Sequence, residues 1–199
     1  MPKHPLEKKY DLSASEILDA INERLRLRVA VEGAVAELQM EKHICRQVGS
    51  RLDRYEAHDI DGHPDFSLWL PNKKKPVYAE CKNVRESGVE GGEGYRSKGK
   101  IVAYKVETQK TRAAKSDPTS RSYGIDQFQI LGVCLGKKTG NWSDFMFART
   151  IDLQRDTRNP HKLAVFQRVP LLDGQDLRPW YSDIGELLAR IDAPRWKRK

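Results

Sequence analysis

Apolar residues first recur at helical spacing close to the N-terminus, where Ile17, Leu18, Ile21 and Leu25 succeed Ser13-Ala14-Ser15-Glu16. A serine with a glutamate three positions on forms a capping box, so the pattern predicts a helix starting near residue 14. Gly33 is expected to interrupt the next helical stretch. From Val31 to Lys42 the spacing is helical again, with Ala34, Val35, Leu38 and Cys45 on one side and Glu37 and Glu41 in line along another. Residues 48–58 read as a strand despite poor alternation. Phe66-Ser67-Leu68-Trp69-Leu70 alternates cleanly, Pro71-Asn72 and Lys73-Lys74-Lys75 form a turn, and Val77 to Val84 returns as a second strand, which makes a hairpin.

Residues 86–99 hold Gly88, Gly91, Gly92, Gly94 and Gly99 among Glu and Ser, the composition of a loop inside a domain. A third strand is predicted over Ile101 to Thr108. Asp126 to Leu135 is apolar nearly all round and suits a buried helix. After the turn-rich, basic stretch Gly136 to Gly140, Phe145-Met146-Phe147-Ala148 resumes as a strand. Asp183 and Glu186 announce a last helix, with Ile184, Leu187, Leu188 and Ile191 on one face. This order predicts a leader over residues 1–12, a single α/β domain around a mixed β-sheet over 13–192, and a basic tail over 193–199.

With 199 residues, the chain is long enough to bury a sizeable core. No apolar run approaches the ~18 residues that span a bilayer, and Met1-Pro2-Lys3-His4-Pro5 lacks the apolar centre of a signal peptide, so a membrane partner is not expected. The 3 cysteines are scattered and form no CxxC pair, which excludes a disulfide framework and points to a reducing, cytoplasmic setting. No glycine-rich loop ending in GK[ST] is present, and no nucleotide cofactor is expected. The five histidines show no HxxxH or HxH spacing. Net charge is +8, and most of it lies in one stretch: residues 94–124 carry eight basic side chains against two acidic ones. A polyanion is the natural partner of such a stretch.

The chemistry concentrates at Pro64-Asp65 and, after fourteen intervening residues, Glu80-Cys81-Lys82. Side chains two apart in a strand share a face, so Glu80 and Lys82 project together while Cys81 turns away. Asp65 opens the preceding hairpin strand and is expected beside Glu80. Two carboxylates and an ammonium then converge. Such oxygen ligands suit Mg²⁺, which keeps waters and accepts phosphate oxygens; a bound divalent ion lowers the pKa of its water, and Lys82 is placed to orient that water or to stabilise developing charge.

In these residues the sequence resembles the PD-(D/E)xK nuclease superfamily, the fold of restriction endonucleases: Pro64-Asp65 matches the PD and Glu80-Cys81-Lys82 the ExK. Gly33-Ala34-Val35-Ala36-Glu37 looks like the family's first helix. Glu107-Thr108-Gln109-Lys110-Thr111-Arg112, Ser120 to Tyr123, Asp126-Gln127-Phe128 and Trp142 to Phe147 are similar to segments of bacterial restriction-type endonucleases carrying ECKN followed by QKTR. The likeness covers residues 30–150. It implies a restriction-endonuclease-like αβββαβ core with helices flanking a central mixed sheet, Mg²⁺-dependent cleavage of double-stranded DNA with Mn²⁺ able to substitute, and a homodimer. Asp65, Glu80 and Lys82 become catalytic; Asp65, Glu80, Cys81 and Glu37 become the metal site, with Glu32 as the alternative to Glu37. Gln109, Lys110, Thr111, Arg112 and Arg121 become a DNA-contacting edge, where Arg and Lys clamp phosphate or read guanine and Gln pairs with adenine.

Two alternatives stay open at this point. Glu107-Thr108-Gln109 is itself an ExQ half-motif that would displace Glu80 and Lys82. A structure-selective repair nuclease, or a DNA-binding module without turnover, would also carry these segments. His63 lies two residues before Asp65, within reach of the site, but a lone histidine in a loop reads as incidental; Trp69 and Tyr78 read as core.

Overall fold

A computed structural model of the chain describes residues 3–86, 94–110, 121–173 and 177–196. The backbone divides into two compact units, Met1–Val35 and Ala36–Lys199, with the boundary inside a helix. The first unit holds α1 (Pro5–Tyr10), α2 (Ala14–Asn22) and the opening turns of α3 (Leu25–Cys45). The stretch read as a leader is thus helical in part: the His4 ring accepts from the Leu6 N–H, and the Glu7 carboxylate takes the His4 N–H at 2.6 Å. In α2 the predicted capping box forms, with the Glu16 N–H donating to Ser13 Oγ at 3.2 Å and the Ser13 N–H to Glu16 Oε2 at 2.8 Å.

Gly33 does not interrupt α3. A Cβ there would meet nothing within 4 Å, so glycine weakens the helix by only about 1 kcal/mol and leaves its path unchanged. The buried stripe of α3 is Ala36, Met40 and Ile44, one helical row, and not the Ala34, Leu38 and Cys45 side; Leu38 is 58% exposed. Apolar residues flank both stripes, which left the phase of the helix undetermined by pattern.

The second unit contains β1 (Arg54–Ala57), β2 (Phe66–Trp69), β3 (Val77–Asn83), β4 (Tyr95–Ser97), β5 (Lys100–Glu107), β6 (Ile130–Cys134), α4 (Gly136–Thr139), β7 (Phe145–Arg149), β8 (Phe166–Pro170), β9 (Trp180–Tyr181) and α5 (Ile184–Leu188). Six strands form a mixed sheet in the order β1-β2-β3-β6-β7-β9, parallel between β3 and β6 and antiparallel elsewhere. A second sheet runs β4-β5-β8. The predicted hairpin is β2 and β3, paired Phe66 to Ala79 and Leu68 to Val77. At its turn Pro71 sets one corner and Asn72 takes φ +65°, a left-handed conformation asparagine tolerates, while the Lys73 N–H donates to the Leu70 carbonyl at 3.1 Å.

Two expectations are corrected. Residues 126–135 form no helix: their apolar run is β6, buried on both faces, and a short all-apolar run fits a central strand as well as a buried helix. The strand predicted over 101–108 exists as β5 but belongs to the smaller sheet, and β1 completes the antiparallel run β1-β2-β3.

Period-two alternation builds both cores. Ile130, Cys134, Phe145 and Phe147 face one cluster, which holds Ala36, Met40 and Ile44 of α3 with Ile184, Leu187 and Leu188 of α5. Leu131, Val133, Met146 and Ala148 face the other, with Val106 of β5 and Val169 of β8. Gly132 sits where α3 crosses: a Cβ there would lie 2.6 Å from Met40 Sδ. The result is a mixed α/β architecture with helices against a central mixed sheet. Among the described residues no helix is long and apolar enough to cross a membrane.

Candidate functional site

The register of the hairpin decides the site. Phe66 pairs with Ala79, which carries Asp65 alongside Glu80 and Cys81. The Cys81 N–H donates to Asp65 Oδ2 at 2.7 Å, fixing the carboxylate against the strand that bears Glu80 and Lys82. Glu80 and Lys82 share a face as strand geometry requires, and Lys82 Nζ donates to Glu80 Oε1 at 2.5 Å. The Tyr123 hydroxyl donates to the same Glu80 oxygen. The ammonium also lies 5.4 Å from the centre of the Tyr123 ring.

These groups line one cavity of about 670 Å³ with Glu37, His58, Asp59, Asp61, His63, Lys110, Gln127 and Phe128. Glu80 is only 5% exposed, so its charge is tolerated because Lys82 and Tyr123 both donate to it. Burial and the neighbouring Glu80 carboxylate push Asp65 up to about 7, against the opposing pull of Lys82 and the Cys81 N–H. Burial works against the Lys82 ammonium, yet the Glu80 carboxylate overcomes it and holds the pKa above that of an ordinary lysine. Partial loss of hydration raises Glu37 on the exposed rim, with Lys82 offsetting and Glu80 and Asp59 adding to the shift.

The donor set fits a hard divalent cation. The Glu80 carboxylate lies close enough to raise Asp65, and a positive charge placed between the two would relieve that repulsion. Among the described residues no group of three His, Cys, Asp or Glu side chains is arranged to hold a metal ion by itself. Mg²⁺ asks for less, since it uses one or two carboxylates and completes its shell with water and substrate oxygens. The Cys81 side chain does not join this set: the thiol packs in the core beside Ala79 and Ile130, where burial holds it protonated, and Cys81 serves the site through its backbone.

The Glu107 alternative is placed elsewhere. Its carboxylate accepts from Arg85 at 2.8 Å and lies 3.6 Å from Arg121, and neither Glu107 nor Gln109 lines the cavity. Of the expected DNA-contacting edge, Lys110 reaches the cavity, while Gln109 bridges to Ser122. Lys110 and Arg121 are tied together, the Lys110 N–H donating to the Arg121 carbonyl at 2.8 Å and Arg121 Nε to the Lys110 carbonyl at 3.1 Å. Thr111 and Arg112 lie outside the described residues.

Sequence reasoning gave Tyr123 no role. Nothing in its neighbourhood marks it as a partner of Glu80, forty-three positions away. The rim was better signalled, because Asp59-Ile60-Asp61-Gly62-His63 directly precedes Pro64-Asp65. His63 lies 4.2 Å from the His58 ring, centre to centre, and its Nδ1 is 2.7 Å from the Pro64 carbonyl oxygen. Trp69 is half-buried under the Arg54 guanidinium at 3.4 Å, and Tyr78 packs against the second cluster. No protein-family model matches the sequence, and neither a curated protein nor a solved structure matches the chain.

Proposed function

We propose that the protein is a Mg²⁺-dependent DNA endonuclease of restriction type, built on a restriction-endonuclease-like core. The reading is carried by one juxtaposition: Asp65, Glu80 and Lys82 meet in one cavity, with a cation from the basic stretch, Lys110, on its wall. Asp65 and Glu80 would hold the ion through the oxygens that Cys81, Lys82 and Tyr123 leave open, and Glu37 would support it from the rim. When bound, the ion supplies a water of lowered pKa and neutralises charge on a phosphodiester; Mn²⁺ serves the same donors.

The residues of the chain divide the remaining work. Lys82, held charged by Glu80, presents an ammonium to the attacking water and to the charge that grows on phosphate oxygen. Tyr123 keeps Glu80 in one rotamer and is a positioning residue. Lys110, with the positive charge of residues 94–124, draws the DNA backbone to the cavity mouth. A homodimer cutting both strands completes the reading, and Leu18, Leu25 and Val29, exposed within residues 1–35, are surface that a second copy would cover.

The test is substrate choice. With Mg²⁺ or Mn²⁺, double-stranded DNA is expected to give discrete fragments, suppressed by EDTA. Preferential cutting of branched DNA or RNA would reject the restriction-type reading, and no cleavage of any of these substrates would reject the nuclease.

A further inference from the structure

A second cavity, of about 330 Å³, lies in the Ala36–Lys199 unit between the edge of the smaller sheet and the C-terminal segment. Its volume is at the lower end of the range for small-molecule sites, about 300–1,000 Å³. Leu153, Leu177, Pro179, Trp180 and Trp196 give it an apolar, partly aromatic wall. Arg168 and Arg195, both exposed, and Gln154 supply polar reach at its edge.

The charge balance says what such a cavity would take. Asp152 contributes the one carboxylate among the described lining residues, and it is spent: its side chain is 1% exposed, accepts from Arg149 Nε at 2.7 Å and accepts the Trp196 N–H at 2.7 Å. The arginines therefore set the sign, and an anion is favoured. The aromatic wall adds a preference for a flat ring, which indole and guanidinium faces both stack upon.

The wall is also built rather than incidental. Arg149, 3% exposed, donates to the carbonyls of Arg190 at 2.8 Å, Ala193 at 2.5 Å and Pro194 at 3.0 Å. A buried ion pair is a costly device. Here Arg149 and Asp152 pin the segment that brings Arg195 and Trp196 to the cavity, so the basic C-terminal stretch is fastened down at its base.

We propose that this cavity binds a nucleoside monophosphate unit, its base against Trp196 and its phosphate on Arg168 and Arg195. The unit comes either from a free nucleotide or from a nucleic-acid strand. The site stands apart from the Asp65 cavity, and its test does not depend on cleavage.

Calorimetry in EDTA with the full chain measures binding of deoxynucleoside monophosphates, deoxyribose 5-phosphate and a short single-stranded oligonucleotide. One monophosphate is expected per chain. It should bind at least tenfold more weakly to the double variant Arg168→Ala, Arg195→Ala, and Trp196→Ala should erase its advantage over the sugar phosphate. Oligonucleotide binding that weakens in step assigns the unit to a strand, whereas oligonucleotide binding that is unchanged assigns it to a free nucleotide. The proposal is overturned if neither monophosphate nor oligonucleotide binding by the folded wild-type protein responds to these substitutions, or if no monophosphate binds at all.

Discussion

Asp65 is anchored to the neighbouring strand by Cys81: the Cys81 N–H donates to Asp65 Oδ2 at 2.7 Å, which commits one carboxylate oxygen to the backbone of the strand that bears Glu80 and keeps Asp65 in the cavity wall. A one-residue slip of β2 on β3 would turn every side chain of the strand to the opposite face and separate Asp65 from Glu80.

Asp65 should make the stability of the metal-free protein pH-dependent. Its folded pKa, about 7, exceeds the ordinary 3.8, so between those values the folded state binds more protons than the unfolded state. Stability then falls as pH rises through that window. Asp65→Asn is expected to raise Tm at pH 8 and to change it little at pH 4. Added Mg²⁺ should raise the wild-type Tm at pH 8 and leave the Asn variant nearly unmoved, measured by thermal scans in EDTA and in Mg²⁺.

Tyr123 is 7% exposed and donates to the buried Glu80 carboxylate. Tyr123→Phe keeps the ring and removes the hydrogen bond, and bonds to charged groups contribute about 1.5–3 kcal/mol. The cleavage rate should drop about tenfold or more. Because the defect lies in the placement of Glu80, the dependence on Mg²⁺ should shift to higher concentration, which a loss of fold alone would not produce.

Glu107→Gln separates the two half-motifs. It removes charge from a carboxylate paired with Arg85 and near Arg121, both outside the Asp65 cavity. Plasmid cleavage should stay within a few-fold of wild type, whereas a loss as deep as that of Glu80→Gln would transfer catalysis to Glu107.

Much of this arrangement was legible in the sequence because it rests on short-range rules. Strand alternation and a Pro-Asn turn fixed the hairpin, and the hairpin fixed which face Glu80 and Lys82 share. The Ser13 cap and the Asp183 cap were legible for the same reason, since the Glu186 N–H donates to Asp183 Oδ1 at 2.9 Å within one turn. The features that pattern did not yield depend on partners far away in the chain. Residues 130–134 are a strand because β3 and β7 lie on either side, and an apolar run carries no mark of that. Met40 rather than Leu38 faces the sheet because Gly132 leaves room for it. Tyr123 meets Glu80 only once the chain has folded back on itself, and no local signal encodes such a meeting.

The central claim is that Lys82, beside Asp65 and Glu80, serves phosphodiester hydrolysis. Cleavage of supercoiled plasmid by wild-type protein and by Lys82→Ala, side by side in Mg²⁺, with DNA binding monitored by gel shift, tests it most directly. The wild type should cut; the variant should bind DNA with similar affinity and cut at least ~10²-fold more slowly. Equal cutting by the two proteins would contradict the claim, as would a wild type that binds DNA and never cuts it.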